Sequence, residues 1–171
     1  MIITNRVTLI PFTEEHYQAI FKDDNIKLGE LLNITAPQAW TGFSGAREAI
    51  NALYGIFISL NNDARWGSYF IILQNEKKLI GTCGFKGKPD SNNCVEIGYE
   101  INTSYQNKGF ATEVSKALID LAFQQEVAGI KAHTLADENA SSRVLRKCNF
   151  KFTGEFNDPE DGMVWSWYLD K

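Results

Sequence analysis

Residues 94–123 read CVEIGYEINTSYQNKGFATEVSKALIDLAF. Val95, Ile97, Tyr99 and Ile101 alternate with Glu96, Gly98 and Glu100, the period-two pattern of a strand with two unlike faces. Ala111, Val114, Ala117, Leu118, Leu121 and Ala122 then recur at helical spacing. Between the two, Gln106-Asn107-Lys108-Gly109-Phe110-Ala111 puts a glycine and a small residue where a helix begins. The free N–H groups of the first helical turn and the positive end of the helix dipole point the same way there. That geometry suits a phosphate or pyrophosphate. A glycine ahead of a helix also serves as a plain tight turn, so the string must be read with its surroundings.

Those surroundings form a scaffold of strands and helices. Arg6–Pro11 reads as a first strand, and Thr13 caps a short helix through about Phe21. Residues 22–42, with Asp23-Asp24-Asn25, Gly29, Pro37 and Gly42, read as irregular or short helical structure. Ser44 is placed to cap a helix to about Leu60 whose apolar side holds Ala49, Ile50, Leu53, Ile56 and Phe57. Gly67–Gln74 and Lys78–Phe85 read as strands joined by the polar turn Asn75-Glu76-Lys77. Ile130–Leu135 is a further strand and Ser142–Cys148 a helix. Phe150–Glu155 and Met163–Leu169 read as a closing pair of strands around the loop 156–162. The order predicts one mixed α/β domain over residues 1–171, with a central, mostly antiparallel twisted sheet flanked by helices.

Global properties narrow the function classes. A chain of 171 residues with 44% hydrophobic content and eleven Phe is long enough for one sizeable core. No run approaches the roughly 20 apolar residues of a membrane span, and MIITNRVTLIPF lacks the pattern of a secretion signal. Cys83, Cys94 and Cys148 are odd in number and widely spaced, which fits reduced thiols in a cytoplasmic protein and neither a metal site nor a disulfide framework. A net charge of −4 argues against broad nucleic-acid binding and permits a cationic acceptor.

A second motif, DENASSRVLRKCNFKFTGE at 137–155, completes a pattern. Glu96-Ile97-Gly98-Tyr99, then Gln106 to Glu113, then Asn139 to Phe150 together resemble the GNAT acetyltransferase superfamily, most closely its RimJ/RimL-like branch. There the strand reads E-I-G-Y, the turn R/Q-x-x-G-x-A/G-T-E, and the later helix N-x-x-S-x-x-V-L-x-K-x-G-F. The resemblance runs loosely from Val7 to Leu169 and implies transfer of an acetyl group from acetyl-CoA to a primary amine, a protein N-terminus or a small molecule.

It also implies roles. The turn from Gln106 through Asn107, Lys108, Gly109, Phe110 and Ala111 to Thr112 would hold the pyrophosphate of coenzyme A, with Gln106 and Lys108 as side-chain donors. The pantetheine arm would pair with backbone near Tyr99, Glu100 and Ile101, and Asn139 would contact it. Asn139 equally well caps a helix. Glu96 is the first choice as base for the amine, with Glu100, on the same strand face, and Glu155 as alternatives. A backbone N–H of Ile97 or Gly98 at a strand bulge would meet the oxyanion. The tyrosine that many members place on the later helix is Leu145 here. In the RimJ/RimL-like branch a serine takes its place, which puts Ser142 beside the leaving thiolate; a second helix-cap hydroxyl is the plainer role.

Other departures carry less. Asn149 replaces the usual glycine and tolerates a left-handed backbone. Cys148 reads as buried and inert, and His16 and His133, isolated in sequence, as structural. Trp40, Phe43 and Trp66 line either the acceptor side or the core, and Asp158, Glu160 and Asp161 would favour a cation if they face the cleft. Neither G-x-G-x-x-G after a first strand nor G-K-[ST] after the turn is present, which sets aside dinucleotide and P-loop sites. The remaining rival is a non-catalytic acyl-CoA-binding regulatory domain. Monomer and homodimer both fit.

Overall fold

The computed structural model describes residues 1–37, 46–61, 63–159 and 162–171. The expected cap at Ser44, and Trp40, Phe43, Glu160 and Asp161, lie outside the described residues. Strands β1 (Ile2–Ile3), β2 (Val7–Pro11), β3 (Ser68–Leu73) and β4 (Lys78–Phe85) form one half of an eight-stranded sheet. Strands β5 (Cys94–Ile101), β6 (Gly129–Leu135), β7 (Lys151–Asp158) and β8 (Gly162–Asp170) form the other. The spatial order is β1-β2-β3-β4-β5-β6-β8-β7, and every neighbouring pair is antiparallel except β5 with β6.

Helices α1 (Glu14–Phe21), α2 (Asn25–Leu32) and α3 (Ala46–Ser59) precede β3, α4 (Phe110–Gln124) crosses from β5 to β6, and α5 (Ala140–Lys147) follows β6. The strand alternation puts Val95, Ile97 and Ile101 into one core with Val114, Leu118 and Ala122 of α4 and Leu145 of α5. The opposite face of β3 and β4 presents Phe70, Ile72 and Leu79 to Tyr17, Leu28, Leu32 and Ile50 from the first three helices. Val114 and Leu118 are fully buried, and such side chains contribute roughly 1.5–3 kcal/mol each. That packing fixes α4, and with it the turn at its N-terminus.

Several boundaries differ from the sequence reading for local reasons. Residues 22–42 contain a regular helix, α2, started by the Asp24 carboxylate accepting from the Lys27 N–H at 2.9 Å and ended by Asn33 in the left-handed conformation. Strand β1 is too short to carry a period and exists because it pairs with β2. Asn149 takes φ 66°, the backbone for which its substitution for glycine was read as tolerable.

The feature that shapes the site lies between β5 and β6. Their parallel pairing covers only Cys94↔Gly129, Val95↔Ile130 and Glu96↔Lys131. Beyond Glu96, β5 stays with β4, from Phe85↔Ile97 to Gly81↔Ile101, and β6 stays with β8, to Leu135↔Val164. The two strands therefore splay, each held by its antiparallel neighbour. This replaces the bulge expected on β5. The register shifts lie elsewhere, at Ile71/Ile72 and Phe152/Gly154.

A cleft at the strand split as candidate active site

The splay leaves backbone groups of β5 facing a gap. The Lys86 N–H bonds the Glu96 carbonyl, and the Asn102 N–H bonds the Ile80 carbonyl. In an antiparallel pair, alternate residues direct both backbone groups to the same neighbour. Glu96, Gly98, Glu100 and Asn102 therefore point toward β4, Ile97 closes the last pair with β6, and Tyr99 and Ile101 point into the gap. Neither oxyanion donor weighed from sequence lies on the open edge: Gly98 points toward β4, and the Ile97 N–H closes the Glu96↔Lys131 pair, so the first β5 N–H to face the gap is that of Tyr99.

On the helical face of the gap lies a cavity of about 380 Å³. Tyr99, Glu100, Ile101, Gln106, Asn107, Gly109, Phe110, Ala111 and Thr112 line it. Asn107 and Gly109 both have positive φ, at 60° and 84°, and Phe110 begins the helix. Residues with positive φ turn successive N–H groups to one side and form an anion cradle. At Gly109 an L side chain would be strained by that backbone. These features fit a pyrophosphate.

Arg6 holds the turn from behind. Its guanidinium donates to Glu113 Oε2 at 2.7 Å and to the Lys108 carbonyl at 2.9 Å, and stacks 4.3 Å from the Phe110 ring centre. Glu113 also accepts from the Thr4 hydroxyl at 2.6 Å and the Arg6 N–H at 2.8 Å. Burial pushes the Glu113 carboxyl up, but these hydrogen bonds and the Arg6 charge outweigh it and leave it below the usual carboxylate range. Sequence reading missed Arg6 because it lies more than 100 residues from the turn.

Three expected cofactor residues do not line the cavity, and a fourth has its side chain engaged elsewhere. Lys108 Nζ donates to the Ser104 carbonyl at 2.9 Å and lies over Tyr105. The Gln106 amide, though it borders the cavity, is occupied with the Ile101 carbonyl at 2.9 Å. Asn139 caps α5, its Oδ1 accepting from the Ser142 N–H at 2.9 Å. Ser142 completes that cap, its Oγ accepting from the Asn139 N–H at 3.0 Å, and it has no exposed surface. The reading of Ser142 as a donor to the thiolate is corrected accordingly: the hydroxyl is buried and committed to the helix start. The cavity wall instead comes from Ala140, Ser141, Arg143, Val144 and Lys147, one face of α5. The spacing 140, 143, 144, 147 was readable in the sequence, but nothing there said which side of α5 faced the gap.

Glu96 lies on the opposite face of the sheet. Its Oε1 meets Lys86 Nζ at 2.5 Å and His133 Nδ1 at 2.9 Å. Burial pushes the Glu96 carboxyl up, but Lys86 and His133 together outweigh it and leave it below the ordinary value. His133, read as isolated, is brought here by the β5–β6 register. Lys131 sits opposite Glu96, so His133 is the next residue of β6 on the same face. Phe156 meets the imidazole edge-on at 5.2 Å. Glu100 shares the Glu96 face and pairs in register with Thr82. Glu155 pairs with Trp165, whose ring packs against the α4-side core, so it lies on the wrong face for a shared role with Glu96. Trp66 is buried against Phe85 and belongs to the core. Cys148 is buried too, and burial pushes its thiol up, consistent with inertness.

The match with known proteins agrees with this geometry. Residues 6–151 match the family model described as an acetyltransferase (GNAT) domain. An uncharacterized N-acetyltransferase of Bacillus subtilis, YjdG, is 30% identical over 151 residues, covering 88% of this chain and 89% of that one. The solved ribosomal-protein-S5-alanine acetyltransferase of Vibrio fischeri superposes with a TM-score of 0.69 at 17% identity, over 99% of this chain and 95% of that one. RimL, a ribosomal L7/L12 α-N-protein acetyltransferase solved with coenzyme A, gives 0.69 at 18% identity over 99% and 96%. The chain belongs to the GNAT acetyltransferase family. It is an acetyl-CoA-dependent N-acetyltransferase, and the regulatory-domain alternative is not favoured.

Proposed function

We propose that the two faces of the sheet divide the reaction at the splay of β5 and β6. The turn 106–112 binds the cofactor's pyrophosphate through backbone N–H groups, and Arg143 and Lys147 add positive charge across the cavity. Tyr99 and Ile101 pair with its pantetheine arm. The bound cofactor supplies an activated acetyl thioester. The acceptor amine enters from the face carrying Glu96 and His133. The observation that carries this reading is the loss of β5–β6 pairing after Glu96↔Lys131, which joins the cavity on one face to the carboxylate on the other.

A free thiol titrates near 8.5, so its thiolate leaves readily at neutral pH without a dedicated acid. Ser142 is left to its cap. The acceptor is a primary amine, either a protein N-terminus or a small molecule. The names of the ribosomal-protein acetyltransferases among the structural neighbours make α-amino termini the first class to try. Cytoplasmic location fits such acceptors.

The test has two stages. Acetyl-CoA at 100 times its dissociation constant stabilises the fold by about 2.7 kcal/mol, a rise of several degrees for a domain of this size. Free adenine nucleotides serve as controls. Thiol release is then followed with Ala- and Ser-initiated peptides, spermidine and amino acids. Saturable binding without transfer to any amine would return the regulatory-domain reading.

A further inference from the structure

Glu96 is poorly disposed to take a proton directly. One of its oxygens already accepts from Lys86 and His133, and the ammonium beside it disfavours protonation. The ionised carboxylate only accepts hydrogen bonds, so His133 Nδ1 carries the hydrogen in their contact. The neutral ring must then hold its lone pair on Nε2. Among the described residues, Nε2 has no partner. The His133 side chain is 27% exposed, and the edge-on contact with Phe156 fixes its ring plane. His133 also lies just past the last β5–β6 pair, at the mouth of the gap. The other histidine contrasts in each respect: His16 is buried, and its Nδ1 accepts from the Thr13 N–H at 3.0 Å.

We propose that His133 takes the acceptor's proton through Nε2, with Glu96 as the positioning residue that sets the tautomer and Lys86 holding Glu96 ionised. This rests on the acetyl-transfer reading above. The amine enters as R–NH₃⁺ and gives one proton to Nε2. Its freed lone pair forms the N–C bond to the thioester carbon. The C–S bond breaks, and its electron pair leaves on sulfur. The nitrogen's second proton goes to that sulfur, and His133 returns the first to water. The products are the amide, the free thiol and one proton.

The chemistry favours one acceptor class. An α-amino group ordinarily titrates near 7.7–8.0 and a lysine near 10.4. An α-amine therefore gives its proton to a single neutral base a few hundredfold more readily than a lysine does. Groups facing His133 are Glu96 and, through it, Lys86 from the β4–β5 side; Glu100 and Lys131 flank on the same face. Phe156 of β7 and Ser166 of β8 bring no charge.

The test uses the full chain and needs no knowledge of the acceptor. With only two histidines in the chain, ¹⁵N-histidine NMR, assigned with His133→Gln, reads the tautomer. A bare Nε2 at His133 that is lost in Glu96→Gln is expected; an Nε2–H tautomer overturns the proposal. Bromoacetyl-CoA is then bound at pH 8, where Nε2 displaces bromide to form an N–C bond. Labelling of His133, slowed at least fivefold in Glu96→Gln, is expected. Acetyl-CoA affinity of His133→Gln is checked by calorimetry, and an unchanged value shows an intact donor seat. Acetyl-CoA failing to bind the unaltered chain sinks the underlying reading. Binding with His133 unlabelled sinks this inference alone. With an acceptor in hand, kcat in Glu96→Gln should fall with its acidic limb displaced; an unmoved profile would mark Glu96 as merely structural.

Discussion

The two faces of the sheet at the β5–β6 split are built on different physical terms. The donor face is a backbone device, made of two positive-φ residues, a helix start and an open strand edge. The acceptor face is a side-chain device, a carboxylate shared by an ammonium and an imidazole. The first depends on local chain geometry, and a substitution there acts through conformation. The second depends on strand register, and a substitution there acts through charge and proton position. This separation makes cofactor affinity and proton transfer independently breakable.

The largest effect is expected at Gly109. Gly109→Val forces a β-branched residue into φ 84°, where an L residue costs roughly 1–2 kcal/mol. It also blocks close approach to the phosphates. Acetyl-CoA affinity measured by calorimetry should fall about tenfold or more, while the His133 NMR signals stay in place. An unchanged affinity would break the backbone account of the donor face.

Arg6→Met comes next. It removes the hydrogen bond to the Lys108 carbonyl and leaves Glu113 without its cation. A loss of about 1 kcal/mol in binding, about fivefold in Kd, is expected, with a lower Tm. Replacing Arg143 and Lys147 by Gln should weaken acetyl-CoA binding only about two- to threefold, because exposed charges are screened by salt. The difference should vanish near 1 M salt; a persisting difference would show direct contacts instead.

The smallest effect is on acid stability. Glu96 and Glu113 both titrate below their unfolded value of 4.5. Their contributions are complete above that value and are lost as pH falls through the lower folded values. Tm should therefore fall as pH drops below about 4.5, and Glu113→Gln should flatten that fall. An equally steep fall in the variant would mean that Glu113 is not among the groups responsible.

What the sequence disclosed follows the same division. β4 was legible to the residue and the alternation of β5 from Val95 to Ile101 was plain, because alternation and turn residues are local signals, and so was the turn 106–112. The pairing of His133 with Glu96 was not, since it arises from a parallel register set by a crossover through α4. Arg6 behind the turn was hidden by its distance in sequence, more than 100 residues from the carbonyl it holds. Ser142 and Asn139 show the converse: the N-x-x-S pattern is real, and in this fold the spacing serves a capping box.

Amide hydrogen exchange along β5, with and without saturating acetyl-CoA, tests the division of faces most directly. The N–H groups of Tyr99 and Ile101 face the gap, whereas those of Gly98 and Glu100 face β4. Protection should therefore rise at Tyr99 and Ile101 on binding and stay unchanged at Gly98 and Glu100. Binding that leaves Tyr99 and Ile101 exchanging as before, or that protects all four alike, would contradict the assignment of the open strand edge as the cofactor's seat.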